Sequence, residues 1–241
     1  MPIRAITIDF WSTLYVARTD GYSTRRRQRI LRQYLRAHGF RVPMHRIHEA
    51  IMASRRRAEA IWFDEQRTAT ARERLSWILS DLGVELPQPV LDQLICDLEE
   101  ALLREKIVLI DGAREVIQAL AERWPLGLIS DTGMTPGRIL RRFMARDGIL
   151  HLFQHCTFSD ETGRAKPHPE QFLRTLERLG CRPEEAVHVG DLTATDIVGA
   201  RQVGMKAVQF VGETDGEDTS LADAVVSSYH ELLTVLEQLD R

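Results

Sequence analysis

Ala5-Ile6-Thr7-Ile8-Asp9-Phe10-Trp11-Ser12-Thr13-Leu14 is a short apolar run that ends on one carboxylate and passes at once into small polar residues. Residues 3–8 read as a strand buried on both faces of a sheet. An ionised aspartate buried without a partner or a metal is costly. Asp9 is therefore expected just past the strand's C-terminal end, where open α/β sheets place their ligands. Taken alone, an aspartate there serves equally well to cap a turn.

Three further stretches decide between these readings. Pro125-Leu126-Gly127-Leu128-Ile129-Ser130-Asp131-Thr132 is a second apolar run, ending on a hydroxyl. Gly163-Arg164-Ala165-Lys166-Pro167-His168-Pro169 is a loop with one lysine. Ala186-Val187-His188-Val189-Gly190-Asp191-Leu192-Thr193-Ala194-Thr195-Asp196 is a third run, ending on Gly-Asp with another aspartate five residues on. Nucleophile, hydroxyl, lysine and acidic pair, in that order, resemble the haloacid dehalogenase superfamily of hydrolases. Each motif alone is weak, whereas the ordered set spreads from Asp9 to Asp196.

The texture of the chain changes after Tyr15. Up to about residue 105, helical periodicity replaces strand-like runs: Ile30, Leu31, Tyr34 and Leu35 recur at helical spacing, as do Leu75, Ile78, Leu79 and Leu82. Gly39 and Gly83 read as helix stops, and Pro43, Pro87 and Pro89 as helix starts. From Lys106 onward strands and helices alternate, with strands at residues 125–130, 154–158, 186–189, 206–211 and 224–226. That alternation implies a parallel sheet with helices on both faces. Residues 212–219 read as an exposed acidic loop. The fold class is thus α/β, a doubly wound parallel sheet of Rossmann type. The resemblance implies a catalytic core from residues 1–14 and 106–241, with an all-α cap inserted at residues 15–105.

Composition is that of an ordinary globular chain of 241 residues with a net charge of −3. Cys96, Cys156 and Cys181 stand far apart without a CxxC, which argues against a zinc site or a disulfide framework and suits a reducing cytoplasm. No apolar run approaches the roughly 18 residues that a membrane span needs, and no signal peptide is evident. Residues 15–74 hold fifteen arginines against six acidic residues. This reads first as a solvated face, with Arg25–Arg27 and Arg55–Arg57 outside, and second as a positive rim steering an anionic substrate. No nucleic-acid motif accompanies the charge. His45 and His48 with Glu49 read as surface residues, His168 as a structural or exposed histidine, and Trp62, Phe63 and Trp77 as interior packing of the cap.

The motifs suggest a chemistry. Asp9 is expected to attack phosphorus and form an aspartyl phosphate that water then hydrolyses. Ser130 donates to a non-bridging phosphate oxygen, the backbone amides of Asp131 and Thr132 add to the cradle, and Thr13 tightens the turn after Asp9. With three lysines against twenty-nine arginines in the chain, Lys166 looks selected as a compact charge that neutralises Asp9 and the transferring group. Asp9, Asp191 and Asp196 converging at one sheet edge repel unless a cation lies among them. Oxygen-only ligands suit Mg²⁺ with retained waters. The resemblance assigns Asp9, Asp191 and the Trp11 carbonyl as its ligands, with Asp196 orienting waters or Lys166. The expected partner is a small phosphorylated metabolite, with no nucleic acid and no membrane, and the protein itself a monomer or homodimer.

One position departs from the family pattern. Phosphatases of the superfamily carry Asp-x-Asp-Gly-Thr, where this chain has Asp9-Phe10-Trp11-Ser12-Thr13. The second aspartate supplies general acid/base catalysis, worth about 10²- to 10⁴-fold. Trp11 donates an N–H but does not titrate. An aromatic residue here resembles the metal-independent 2-haloacid dehalogenases, whose fourth motif nevertheless lacks Gly-Asp-x4-Asp. A weakly active phosphate-binding or regulatory protein is a third alternative.

Overall fold

The computed structural model describes residues 2–18, 22–214 and 216–240. Residues 19–21, inside the segment read as helical, and Asp215, inside the loop read as exposed, lie outside these. The elements run β1 (Ala5–Ile8), β2 (Tyr15–Ala17), α1 (Tyr22–Ala37), α2 (Met44–Glu65), α3 (Ala71–Leu82), α4 (Gln88–Glu100), β3 (Ile107–Leu109), α5 (Ala113–Ala121) and β4 (Leu126–Ser130). Then come α6 (Gly137–Arg146), β5 (Phe153–Phe158), α7 (Ser159–Thr162), α8 (Pro169–Leu179), β6 (Ala186–Gly190), α9 (Val198–Gln202), β7 (Lys206–Phe210), β8 (Ala224–Val226) and α10 (Tyr229–Leu239).

Six strands form one sheet in the order β5-β4-β1-β6-β7-β8. Every neighbouring pair in it is parallel. All four residues of β1 are buried, as a central strand covered on both faces requires. On one face Ile6 and Ile8 meet Val116, Ile117 and Leu120 of α5, Ile139 and Phe143 of α6, and Leu232 and Leu236 of α10. On the other, Ala5 and Ile129 meet Phe172 and Leu176 of α8 and Ala200 of α9. β4 lies on one side of β1 and β6 on the other, so successive crossovers leave β1 in opposite directions. The crevice at the C-terminal ends of these three strands is the switch point at which such sheets bind ligands.

Helices α1–α4 lie between β2 and β3 and bury an apolar cluster that includes Leu31, Leu35, Ile47, Leu75, Ile78 and Leu94, joined by Met134 from the segment after β4. Their ends follow local chemistry. Thr70 and Glu73 form a capping box on α3, the Thr70 Oγ1 accepting from Glu73 N at 3.2 Å and Glu73 Oε2 from Thr70 N at 2.8 Å. Gly83, at φ +65°, ends the same helix in the left-handed region. The sequence shows no strand at residues 15–17, yet β2 pairs antiparallel with β3, Ala17 opposite Ile107. Three residues are too short a run for periodicity to register. Among the described residues no helix is long and apolar enough to cross a membrane.

Candidate active site

Asp9, Asp131 and Asp191 each follow directly on the last residue of β1, β4 or β6. Parallel strands therefore deliver three carboxylates to one sheet edge. Together with Trp11, Ser12, Trp62, Lys166, Asp196 and Glu213 they line a cavity of about 630 Å³. Lys166 comes from the loop between α7 and α8, its backbone N–H donating to Asp131 Oδ1 at 2.9 Å. Lys166 is 2 % exposed, and its ammonium donates to Asp9 Oδ1 at 2.5 Å and to Asp196 Oδ1 at 2.6 Å. Asp196 also holds His188 Nε2 at 3.0 Å, and His188 Nδ1 reaches Thr7 Oγ1 at 2.8 Å. A chain of contacts thus runs under the sheet edge from Thr7 through His188, Asp196 and Lys166 to Asp9. Gly190 is required by this packing, because a Cβ there would collide with the Asp196 carboxylate.

The charges set each other's protonation. Burial raises Asp9 well above the usual carboxylate range, with Asp196 and Asp191 adding to the rise and Lys166 opposing it. Asp131 and Asp191 are both pushed up to about 6, chiefly by burial. Asp196 moves the other way: burial opposes it, but the attraction of Lys166 and the hydrogen bond from His188 win and hold it below its ordinary value. Lys166 is raised, because Asp196, Asp9 and Asp131 outweigh its burial. His188 is lowered by burial and keeps its imidazole neutral.

The residues singled out in the sequence are placed as follows. Asp9, Trp11, Asp131, Thr132, Lys166, Asp191 and Asp196 all line the cavity. Ser130 closes β4 but does not line the cavity; its hydroxyl donates to the Asp131 carbonyl at 3.2 Å. The Thr132 N–H is engaged by Ser159 Oγ at 2.8 Å. Thr13 is fully buried, its carbonyl accepting from Tyr229 OH at 2.7 Å and its Oγ1 without a hydrogen-bond partner among the described residues. Ser12 stands at φ +54°, a left-handed turn residue where the family pattern has glycine. Trp11 packs edge-on against Phe10, which stacks on Tyr15 with ring centroids 4.5 Å apart.

Sequence reasoning missed several contributors. Trp62, assigned to the interior of the helical segment, instead lines the cavity from α2 and donates its indole N–H to Asp131 Oδ2 at 2.9 Å. Phe63, assigned likewise, is 61 % exposed. Trp77 is half-buried with Arg57 stacked 4.5 Å from its ring centre. Thr214 donates to Asp191 Oδ2 at 2.8 Å from the acidic loop. His188 carried a signal that went unused, a titratable residue inside an otherwise apolar strand. His168 caps α8, its Nδ1 accepting from Glu170 N at 3.3 Å, and His45 and His48 are exposed, as the sequence suggested.

The oxygens left over suit a hard cation. Asp9 Oδ2 and Asp191 Oδ1 stay clear of other residues' donors, and no described residue donates to the Trp11 carbonyl. Among the described residues no three His, Cys, Asp or Glu side chains form a metal cage. An ion held here would rest on two carboxylates, a carbonyl and waters, which is how Mg²⁺ is ordinarily bound. The cavity wall carries Asp9, Asp131, Asp191 and Asp196 against Lys166, and Glu213, which is paired with Arg18. That excess of negative charge favours a cation and opposes an anion arriving without one.

A buried carboxylate held by a buried lysine, at the switch point of a parallel sheet, is an arrangement that suits an aspartate nucleophile. The chain belongs to the haloacid dehalogenase-like hydrolases, whose family model matches residues 3–204. It is 36 % identical over 136 residues to a glyceraldehyde 3-phosphate phosphatase from Pyrococcus furiosus, covering 54 % of this chain and 55 % of that one. The chain spans about half the length of the curated relatives that it matches most strongly. Among solved structures it resembles a 2-haloacid dehalogenase from Pseudomonas syringae, at 24 % identity, TM-score 0.71 and 98 % and 99 % coverage. It also resembles the hydrolase YfnB of Bacillus subtilis bound to magnesium, at 18 % identity, TM-score 0.64 and 98 % and 99 % coverage. At these identities the two structures speak to the fold.

Proposed function

We propose that this protein is a Mg²⁺-dependent phosphomonoester hydrolase acting on a small phosphorylated metabolite through an aspartyl phosphate on Asp9. The observation that carries the reading is the division of the Asp9 carboxylate. Oδ1 is anchored by the buried ammonium of Lys166, Oδ2 accepts from no described side chain, and Asp9 lines a cavity rich in oxygen ligands. Oδ2 attacks phosphorus, the P–O bond to the leaving group breaks, and water later cleaves the acyl phosphate to return the carboxylate. Lys166 holds the nucleophile in one orientation and offsets the charge that develops on the transferring group. Asp196 and His188 hold Lys166. Ser130 contributes when a substrate oxygen draws its hydroxyl off the Asp131 carbonyl, and the Asp131–Thr132 turn closes that side. Mg²⁺ would be held by Asp9, Asp191 and the Trp11 carbonyl, and would supply charge neutralisation for an anionic substrate.

We further read residues 15–105 as a cap over the core. Three hydrogen bonds support this, from Trp62 to Asp131, from Thr68 to the Thr132 carbonyl at 3.2 Å, and from Ala165 N to the Gln66 carbonyl at 2.7 Å. The naming of relatives as phosphatases supports the reaction, and the three free cysteines fit a reducing cytoplasm. Trp11 favours one second reading, a 2-haloacid dehalogenase. Against it stands the acid-rich wall, which repels a haloacid carboxylate when no cation is present. Assaying phosphate release from p-nitrophenyl phosphate with and without Mg²⁺, beside chloride release from a 2-haloacid in EDTA, separates the two. Chloride release that persists in EDTA, with no phosphate release, overturns the phosphatase reading.

A further inference from the structure

A second cavity, of about 340 Å³, adjoins the first where the helical segment meets the core. Trp62 and Thr132 line both, so the two share a wall. The second cavity differs in charge: Arg27 of α1, Arg55 of α2 and Arg74 of α3 point to it, against Glu59. Arg55 is accounted for, since its Nε donates to Glu59 Oε1 at 2.8 Å. Arg27 is fixed by neutral groups, Nε donating to the Leu98 carbonyl at 3.0 Å and Nη2 to Thr135 Oγ1 at 2.7 Å, with no carboxylate of the described residues in salt-bridge range. Arg74 donates no side-chain hydrogen bond to any described residue, and its Nε is buried without a partner. Its Nη1 stands over Gly133, next to Thr132.

Two buried guanidinium groups close together, neither with a carboxylate of the described residues in salt-bridge range, are unfavourable in the empty protein. Burial and the charge of Arg74 bring Arg27 down to about 10, with Glu105 only partly offsetting this, and burial and Arg55 lower Arg74, with Glu59 only partly offsetting that. A solvated arginine face explains neither residue, because both are half-buried. A guanidinium offers a planar fork of donors that matches a carboxylate or phosphate, and such charge-assisted bonds are among the strongest available.

We propose that this cavity is a second anion subsite. Arg74, with Arg27 behind it, takes a carboxylate or second phosphate on a substrate whose phosphoryl group lies at Asp9. The substrate class is then a small phosphate monoester with an anionic tail, passing along Trp62 and Thr132 between the two cavities. The assignment rests on the phosphatase reading above and adds to it the nature of the rest of the substrate. It also resolves the conflict of charge, since the acid-rich cavity takes the cation and the arginine cavity takes the anion.

The test uses inhibition of p-nitrophenyl phosphate turnover in Mg²⁺ by two matched pairs. One pair is 3-phosphoglycerate against glycerol 3-phosphate, which differ in a carboxylate. The other is propane-1,3-diol bisphosphate against 3-hydroxypropyl phosphate, which differ in a phosphate. The wild type should bind the anionic-tail member of at least one pair about tenfold more tightly or better, the equivalent of one charge-assisted hydrogen bond. The pair that shows the preference identifies the second anion. In Arg74→Met the ratio should fall to about one, and Arg74→Lys should recover part of it. Ratios taken within one variant cancel any change in basal rate, and a thermal melt confirms folding. A wild-type ratio near one in both pairs overturns the subsite without any variant, as does a ratio that survives in folded Arg74→Met. Absence of p-nitrophenyl phosphate turnover in wild type is a different result; it removes the phosphatase reading, and the subsite with it.

Discussion

Asp196→Asn tests the buried charge network, because two opposing effects must be weighed. The substitution removes the partner of Lys166 and His188 at 2.6 and 3.0 Å, and gives Leu192 N and Thr195 Oγ1, which donate to Oδ2 at 3.2 Å each, an uncharged neighbour. It also relieves the repulsion that Asp196 exerts on Asp9 and Asp191. The carboxyl of Asp196 is lowered although it is buried among other acids, so the attraction wins and the charge stabilises the fold. Breaking a buried pair costs about 3–5 kcal/mol, and the relieved repulsion places this case near the lower end. At roughly 2–4 °C per kcal/mol for a chain of this size, Tm should fall by roughly 6–12 °C at pH 7. The folded-state carboxyl lies below its unfolded value of about 3.9, so the gap to wild type is full above that pH and closes only as acid protonates Asp196 in the native protein. Asp9 responds in the opposite sense to stability. Freed from one like charge and left with Lys166 to itself, it should ionise at lower pH, and the acid limb of the pH–rate profile should move down. Differential scanning fluorimetry across pH, with a kcat/KM profile, reads both effects. An unchanged Tm, or an acid limb that moves up, would refute the network as drawn.

Asp9→Asn should abolish turnover by orders of magnitude with little change in Tm, since the side chain is nearly isosteric; retained activity in a folded variant would exclude covalent catalysis by Asp9. In EDTA, Asp191 holds near pH 6 a proton that the unfolded chain has lost, so acidification from pH 7 to 5 should stabilise the metal-free protein through this group. Added Mg²⁺ must displace that proton, so its stabilising effect should be larger at pH 7 than at pH 5, and equal Tm gains at the two values would contradict the carboxylate ligation. Without a general acid at position 11, p-nitrophenyl phosphate should be hydrolysed far faster than an alkyl phosphate, by a large part of the usual ~10²- to 10⁴-fold contribution. Trp11→Asp should narrow that gap in kcat/KM, and a wild-type enzyme equally fast on both would show that another residue supplies the proton.

The centre of the sheet was legible because β1, β4 and β6 are buried on both faces and read as apolar runs closed by a polar residue. Asp9, Ser130 and Asp191 could be placed at one edge for the same reason, since position at a strand's end fixes an edge in a parallel sheet, whereas the Asp131 side chain was not read as part of the site. What lies across the chain was not legible. Trp62 and Arg27 sit on amphipathic helices where periodicity separates covered from exposed faces but does not say what covers them. Whether an aromatic residue fills an interior or walls a cavity depends on how α2 docks on the turn after β4. The Thr132 N–H was read as free for a ligand because Ser159, its partner, lies at the start of a four-residue helix with no pattern to announce it. His188 stood out in an apolar strand, but its meaning depends on Asp196 folding back beneath Gly190, a contact that only the turn after β6 creates.

The pairing of β2 with β3 bears on how such a protein diversifies. Ala17 and Ile107 face each other across an antiparallel ladder, where opposed residues lie about 4.5–5.5 Å apart. The chain departs for almost ninety residues and returns to the place it left. A detour with coincident endpoints and an apolar cluster mostly of its own residues can lengthen, shrink or be exchanged between lineages without altering the register of any strand in the six-stranded sheet. Loop-closure entropy grows only logarithmically with the length of the excursion, so such changes cost the sheet little. On the proposed reading, the bond-breaking residues and most of those that select the molecule to be broken are thereby written on separately inheritable stretches of one gene.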